Sequence, residues 1–350
     1  MGVVDMLGLA RLLLIFAVTL TADSAAAQTT VKLTLDWKIE GPAAPFFVAQ
    51  DKGYYRAEGL DVTIDTGASS LEPINRVANS SYDIGFGDIN ALIKFRDQNG
   101  NTPMKAVFVV YNRPAYAIVA RKSRGITMPK DLEGKKLGAP ANDSASAQWP
   151  LFAKVNGIDT SKVTLENVGI PVREPMLAAG QVDAITGFSF SSYINIKDRG
   201  VPVSDIVVLL MAEHGLELYG NAIIVNPKFA AEKPEVVKAF LRAFLKGLKD
   251  TIKNPSAALD AILSRNELAR RDVELERLRM AIRDNILTPE VRQLGYGDID
   301  PARFERAIEQ IGLTHKFRSK PAPADIFDSS FLPPAGERRV HEARGPAPSR

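Results

Sequence analysis

The sequence predicts an α/β protein of two similar lobes, each a mixed, mostly parallel sheet flanked by helices, with two strands crossing between them. Three observations predict it. One order of elements (strand, helix, Gly-[Leu/Ile]-Asp, strand, Glu-Pro helix, Asp-containing strand) occurs twice. Strand and helix patterns alternate, which implies right-handed crossovers and parallel pairing. The 350 residues, 45% hydrophobic and 24% charged, suffice for two domains of ordinary size, each with its own core.

The chain opens on a different kind of segment. Residues 12–20 (LLLIFAVTL) form an apolar run too short to span a bilayer, followed by a polar patch and Ala25-Ala26-Ala27. Small residues at Ala25 and Ala27 suit signal-peptidase cleavage before Gln28, so 1–27 reads as a secretory signal. Without any Cys the mature end has no thioether lipid. The expectation is a protein soluble in the periplasm, not a lipoprotein.

The first copy begins with the strand 31–35 (VKLTL), by alternation and β-branching. A helix over 43–57 leads to Gly59-Leu60-Asp61 and the strand 62–64. A Gly/Ser loop precedes Glu72-Pro73 and a short helix, and the strand through Tyr82-Asp83-Ile84 closes the copy. The second copy runs from the strand 135–137 through a helix over 147–155 to Gly157-Ile158-Asp159 and the strand 163–165. Glu174-Pro175 then opens a short helix ending at Gly180, before Val182-Asp183-Ala184-Ile185. Strands at 106–111 and 116–120 join the lobes, and 222–225 turns back. Pro234 starts a helix whose stripe is Val237, Phe240, Leu241, Phe244, Leu245 and Leu248. Its basic residues, Lys238, Arg242, Lys246 and Lys249, are expected on a solvated face. Lobe one is therefore expected at 28–113 with 222–330, lobe two at 114–221, and a disordered tail at 331–350.

Composition narrows the function. The absence of Cys removes thiolate zinc, iron–sulfur and cysteine-nucleophile chemistry, and the three histidines, His214, His315 and His341, are far apart. A formal charge of +3 gives no basic face for nucleic acid. No G-x-S-x-G, Walker or H-E-x-x-H motif occurs. No enzyme, metal site or cofactor is expected.

Ligands of open parallel sheets bind beyond the carboxyl ends of the strands. The residues placed there are Asp36 and Trp37 after the first strand, Ser69 and Ser70 before the first Glu-Pro helix, and Gly87 and Asp88 after the third strand. In the second copy they are Asn142, Asp143 and Ser144, then Phe188, Ser189 and Phe190. Tyr111 and Asn221 stand at the crossovers. Ser69 and Glu72 have capping-box spacing, and Asp88 and Asp143 also suit helix caps. Trp37, Tyr111, Phe188 and Phe190 offer flat walls to a planar ligand. Lys38 and Arg113 are read as surface residues. With no Arg cluster at these loops, a strongly charged ligand is not expected.

Residues 31–250 carry a family resemblance. Leu35-Asp36-Trp37, then 44–62 (APFFVAQDKGYYRAEGLDV), Tyr82 to Asp88, Asp131 to Lys136 and Ala179 to Ala184 resemble the solute-binding proteins of ABC importers for nitrate, sulfonates, taurine and thiamin-pyrimidine precursors. The resemblance implies a type II periplasmic-binding-protein fold with two hinge strands and C-terminal helices returning to lobe one. It also implies closure over a small ligand and delivery to a membrane permease, by a monomer. Leu-Asp-Trp resembles the pyrimidine-precursor branch, which commonly continues with a Pro-Asn-Thr-Asn-His-like run. Here Lys38-Ile39-Glu40-Gly41-Pro42 follows, so nitrate, sulfonate and aromatic carboxylate stay open as ligands. Thiamin-pyrimidine synthases share the resemblance but carry a cysteine-rich iron site and a lysine for pyridoxal phosphate. A sensory receptor domain is a further alternative.

Overall fold

The computed structural model describes residues 28–100 and 102–340; the expected signal segment lies outside them. Ten strands make two five-stranded sheets. The first contains β1 (Thr29–Thr34), β2 (Leu60–Asp65), β3 (Ile84–Asp88), β4 (Lys105–Val109) and β10 (Asn221–Val225), in the order β2-β1-β3-β10-β4. The second contains β5 (Tyr116–Arg121), β6 (Lys136–Gly138), β7 (Thr164–Glu166), β8 (Ala184–Phe188) and β9 (Ile206–Leu210), in the order β7-β6-β8-β5-β9. The two orders are equivalent. In each sheet the fourth position is antiparallel to its neighbours and is filled by a strand arriving from the other half, β10 in one and β5 in the other.

The repeated sequence order is realised in both halves. β1, the helix α1 (Ala44–Asp51), β2, α2 (Glu72–Ala78), β3 and α3 (Ile89–Gln98) correspond to β6, α4 (Trp149–Val155), β7, α5 (Arg173–Ala178), β8 and α6 (Ser189–Asp198). The glycine of each Gly-[Leu/Ile]-Asp turn is left-handed, with φ +75° at Gly59 and +62° at Gly157, a region that an L side chain enters at a cost. The repeated aspartate has one role in both copies. Asp83 Oδ2 accepts from Lys32 N at 2.8 Å, and Asp183 Oδ2 accepts from Lys136 N at 2.9 Å. Each carboxylate thus ties the start of its strand to the neighbouring one.

The crossings are irregular segments, not strands. Beyond β4 the chain crosses at 110–115, and it returns at 211–220 before β10. The two segments bond to each other, with Gly220 N donating to Tyr111 O at 2.8 Å and Tyr111 N to Asn221 O at 3.0 Å. A side chain from a C-terminal helix takes up backbone carbonyls of both crossings. Arg303, on α10, bonds the carbonyls of Asn112 and Leu218, one from each crossing, and lies 4.0 Å from the Tyr219 ring centroid.

The C-terminal helices include α7 (Pro234–Lys253), α8 (Arg271–Ala281), α9 (Pro289–Leu294) and α10 (Pro301–Gly312). The α7 stripe is buried, Phe240, Leu241 and Phe244 fully so, and Phe244 packs 4.6 Å from Phe46 of α1, centroid to centroid. Its basic face is not simply solvated. Arg242 and Lys246 both pair with Glu58, at 2.7 and 3.3 Å. Nor do these helices serve one lobe alone. α8 reaches α6, and Lys154 of α4 donates to Leu313 O beyond α10.

The expected disordered tail is corrected for residues 331–340. That stretch docks on 294–298 because Arg338 is buried and satisfied there. Its Nη2 pairs with Asp298 at 3.0 Å, its Nε donates to Pro333 O, and its carbonyl accepts from Tyr296 N. Residues 341–350 lie outside the described residues.

Candidate functional site

A cavity of about 270 Å³ lies between the two sheets. From the first half it is lined by Asp36, Trp37, Lys38 and Glu40 after β1, by Pro42 and Ala43, by Ser69 and Ser70 before α2, and by Phe86 of β3. Tyr111 lines it from the crossing. The second half supplies Asp143, Ile170, Pro171, Arg173 and Glu174, then Phe188, Phe190, Ser191, Asn195 and Arg199. Loops at the carboxyl ends of both sheets thus face one hollow.

One wall is a chain of aromatic rings drawn from both halves. Phe86 meets Tyr111 edge-on at 5.4 Å, Tyr111 meets Phe190 at 5.9 Å, and Phe190 meets Phe188 at 5.8 Å. The edge-to-face arrangement is the favoured one for quadrupolar rings. β8 ends at Phe188 and α6 begins at Ser189, so the strand-to-helix turn directs both phenylalanines at the cavity. Trp37 is half-buried at its lining, with Lys38 Nζ 5.4 Å from its ring centroid.

The polar lining is acidic within and basic at the mouth. Burial pushes the Asp36 carboxyl up to about 7, against hydrogen bonds from the backbone and from Asn221, with Glu40 adding to the rise. Burial likewise raises Glu40, where Arg277 pulls the other way and Glu274 adds to the rise. Arg173 is buried between two carboxylates, Asp143 at 3.1 Å and Glu174 at 2.9 Å. Burial works against its charge, but those two partners hold it above the ordinary guanidinium range. Glu174 also accepts from Ser192 Oγ, and Asp143 from Ser146 N, each as part of the same buried set. The other two cations, Lys38 and Arg199, are exposed.

Of the residues placed at the loops by sequence, Asp36, Trp37, Ser69, Ser70, Tyr111, Asp143, Phe188 and Phe190 line this cavity. The others do not. Gly87 lies in β3 against Ser70 O, where only 3.0 Å would separate that oxygen from a Cβ. Asp88 turns inward and caps α3, accepting from Asn90 N at 2.8 Å and Tyr116 Oη at 2.6 Å. Burial raises its carboxyl despite those bonds. Asn142 is exposed, and Ser144 and Ser189 are buried beside the helix starts. Asn221 acts one step back, donating to Asp36 Oδ2 at 2.8 Å. Ser69 makes no capping box, because Glu72 Oε2 accepts from Ala68 N and its other oxygen holds Arg76.

Sequence reasoning missed Arg173, Glu174, Glu40, Asn195 and Arg199; Lys38, read as a surface residue, is exposed and also lines the cavity. A signal existed for two of them, since Arg173-Glu174 opens the second Glu-Pro helix, the counterpart of one already placed at the cleft. Arg113, in contrast, is half-buried outside the cavity lining, 3.6 Å from Glu213. Among the described residues no cluster of His, Cys, Asp and Glu could hold a metal ion, and no helix is long and apolar enough to cross a membrane.

Residues 42–258 match the family described as NMT1/THI5 like. The chain is 28% identical over 301 residues to the riboflavin-binding protein RibY of Chloroflexus aurantiacus, a match covering 83% of this chain and 82% of that one. It is 27% identical over 334 residues to a formylaminopyrimidine-binding protein of Halalkalibacterium halodurans, covering 92% and 96%. A 4-amino-5-hydroxymethyl-2-methylpyrimidine phosphate synthase of Schizosaccharomyces pombe is 26% identical over 243 residues, covering 65% and 68%. In structure the chain is similar to the periplasmic aliphatic sulphonate binding protein SsuA of Escherichia coli. The TM-score is 0.67 at 12% identity, covering 83% of this chain and 94% of that one. The two-lobed type II periplasmic-binding-protein fold is thereby shown.

Proposed function

The chain belongs to the NMT1/THI5-like family, and from that premise we propose that it is an extracytoplasmic solute receptor of an ABC importer. Its ligand is a small, planar, amine-bearing heteroaromatic molecule. The ligand enters the cavity between the sheets, the halves close over it, and the closed form delivers it to a membrane permease. Closure follows from contacts that one ligand makes with both halves at once.

The observation that carries this reading is the aromatic wall shared by both halves, in a cavity that carboxylates also line. Asp36, Glu40, Asp143 and Glu174 outnumber the lining cations, and the one buried cation, Arg173, is already held by two of them. An amine or ring N–H finds acceptors here, whereas nitrate or a sulfonate would lie beside carboxylates. The cavity is below the roughly 300–1,000 Å³ typical of pockets for drug-sized ligands, which suits one or two rings. The relatives that bind riboflavin and formylaminopyrimidine support a heteroaromatic ligand.

The synthase relative raises an enzymatic alternative. The cysteine-rich iron site of that branch has no counterpart in a chain without Cys, and the receptor reading is preferred on that ground.

A thermal-shift panel tests it, with riboflavin, formylaminopyrimidine, other thiamin pyrimidines, nitrate, aliphatic sulfonates and aromatic acids. A ligand at a hundred times its Kd adds about 2.7 kcal/mol, so a heteroaromatic amine is expected to raise the melting temperature clearly. A rise with the anions alone would reject the assignment.

A further inference from the structure

The cavity is spanned on one side by a contact that lies outside the repeated unit. α8 is fixed to the first half's cavity wall. Glu274 Oε2 accepts from Gly41 N at 2.6 Å, and the approach is so close that a Cβ on Gly41 would stand 2.5 Å from Glu274 O. α8 and Arg270, the residue before it, also meet α6 of the second half. Lys197 pairs with Glu276 at 2.5 Å, and Asp198 pairs with Arg270. The two pairs have opposite polarity, so reversing one charge leaves a like-charge contact that only the matching reversal relieves.

Between these pairs and the cavity lies Arg277, 3% exposed. Its Nη2 donates to Asn195 Oδ1 at 3.2 Å and its Nε to Glu274 at 3.2 Å, while its Nη1 is 3.6 Å from Glu40. Asn195 and Glu40 both line the cavity, one from each half. Nη1 has no hydrogen bond, so a shift of Glu40 toward it would gain one.

We propose that α8 is a latch across the cleft and that Arg277 is its positioning residue. The Lys197–Glu276 and Asp198–Arg270 pairs favour the closed form, and Arg277 joins that contact to the cavity through Asn195 and Glu40. The consequence for ligand retention rests on the receptor reading; the contact itself does not.

The test uses the ligand-free protein. Because the chain has no Cys, Ser161→Cys with Lys228→Cys gives one dye pair with a label on each half, read by single-molecule energy transfer. Lys197→Glu is expected to lower the closed-to-open ratio about two- to fivefold, the scale of an exposed ion pair, and to shrink the loss of closure that added NaCl causes, since only the Asp198–Arg270 attraction is left to screen. The swap Lys197→Glu with Glu276→Lys is expected to restore both. Arg277→Met is expected to open the cleft further than Arg277→Lys. A ratio unchanged by Lys197→Glu, or lowered and not restored by the swap, overturns the latch. Since no ligand enters the measurement, that result would leave the receptor reading standing, and a failed ligand panel would leave the latch standing.

Discussion

Asn221 donates from Nδ2 to Asp36 Oδ2 at 2.8 Å, joining the first residue of β10 to the loop after β1 across 185 positions of sequence. The bond fixes the carboxylate at the cavity. It opposes the rise that burial imposes on Asp36.

The Asp36 carboxyl ordinarily titrates at 3.8 and is pushed up to about 7 by burial. Between those values the folded protein holds a proton that the unfolded chain has released, so stability falls as pH rises through this window. The contribution is full below 3.8 and lost above about 7. Asp36→Asn is expected to flatten this part of the profile, read as the urea midpoint at pH 5 and pH 8. An equally steep decline in the variant would assign the titration elsewhere.

Trp37→Ala is expected to weaken a planar ligand by about 1–3 kcal/mol, the scale of a buried aromatic contact. Isothermal calorimetry against the best compound of the panel measures it. Unaltered affinity would take the indole out of the binding surface.

Arg173→Met leaves Asp143 and Glu174 buried without their shared cation. Removing one member of a buried ionic set costs about 3–5 kcal/mol, so a clear drop in melting temperature is expected even without ligand. A variant as stable as the parent would show that the two acids do not need the guanidinium.

Asp183→Ala removes a strand tie, not a ligand contact. A loss of about 1.5–3 kcal/mol is expected, the scale of one hydrogen bond to a charged group, with ligand affinity intact. Weakened binding at unchanged stability would contradict the structural role given to this repeated aspartate.

The fold was largely legible in the chain because its signals are local and occur twice. Left-handed glycines at 59 and 157, the Glu-Pro helix starts, and an aspartate two residues into each third segment are short-range devices, and finding both copies identified the unit. Tyr111, Phe188 and Phe190 of the aromatic wall were legible from their places at a crossing and a strand-to-helix turn, whereas Phe86, inside β3, was not. Candidates such as Asp88 and Ser144 failed because residue type and loop position do not say which way a side chain turns; the cap on α3 and Tyr116 drew Asp88 inward.

By itself the sequence determined the two α/β units, the strand ends where a ligand can sit, and the exclusion of thiol chemistry, since periodicity, turn residues and composition are properties of neighbouring positions. Only the tertiary structure decided that Arg173 is held by two carboxylates, that Arg277 stands between Glu40 and Asn195, and that residues 331–340 dock on 294–298. Those outcomes depend on groups far apart in the chain meeting out of water, where a buried charge must find partners, and no local pattern encodes which partners it finds.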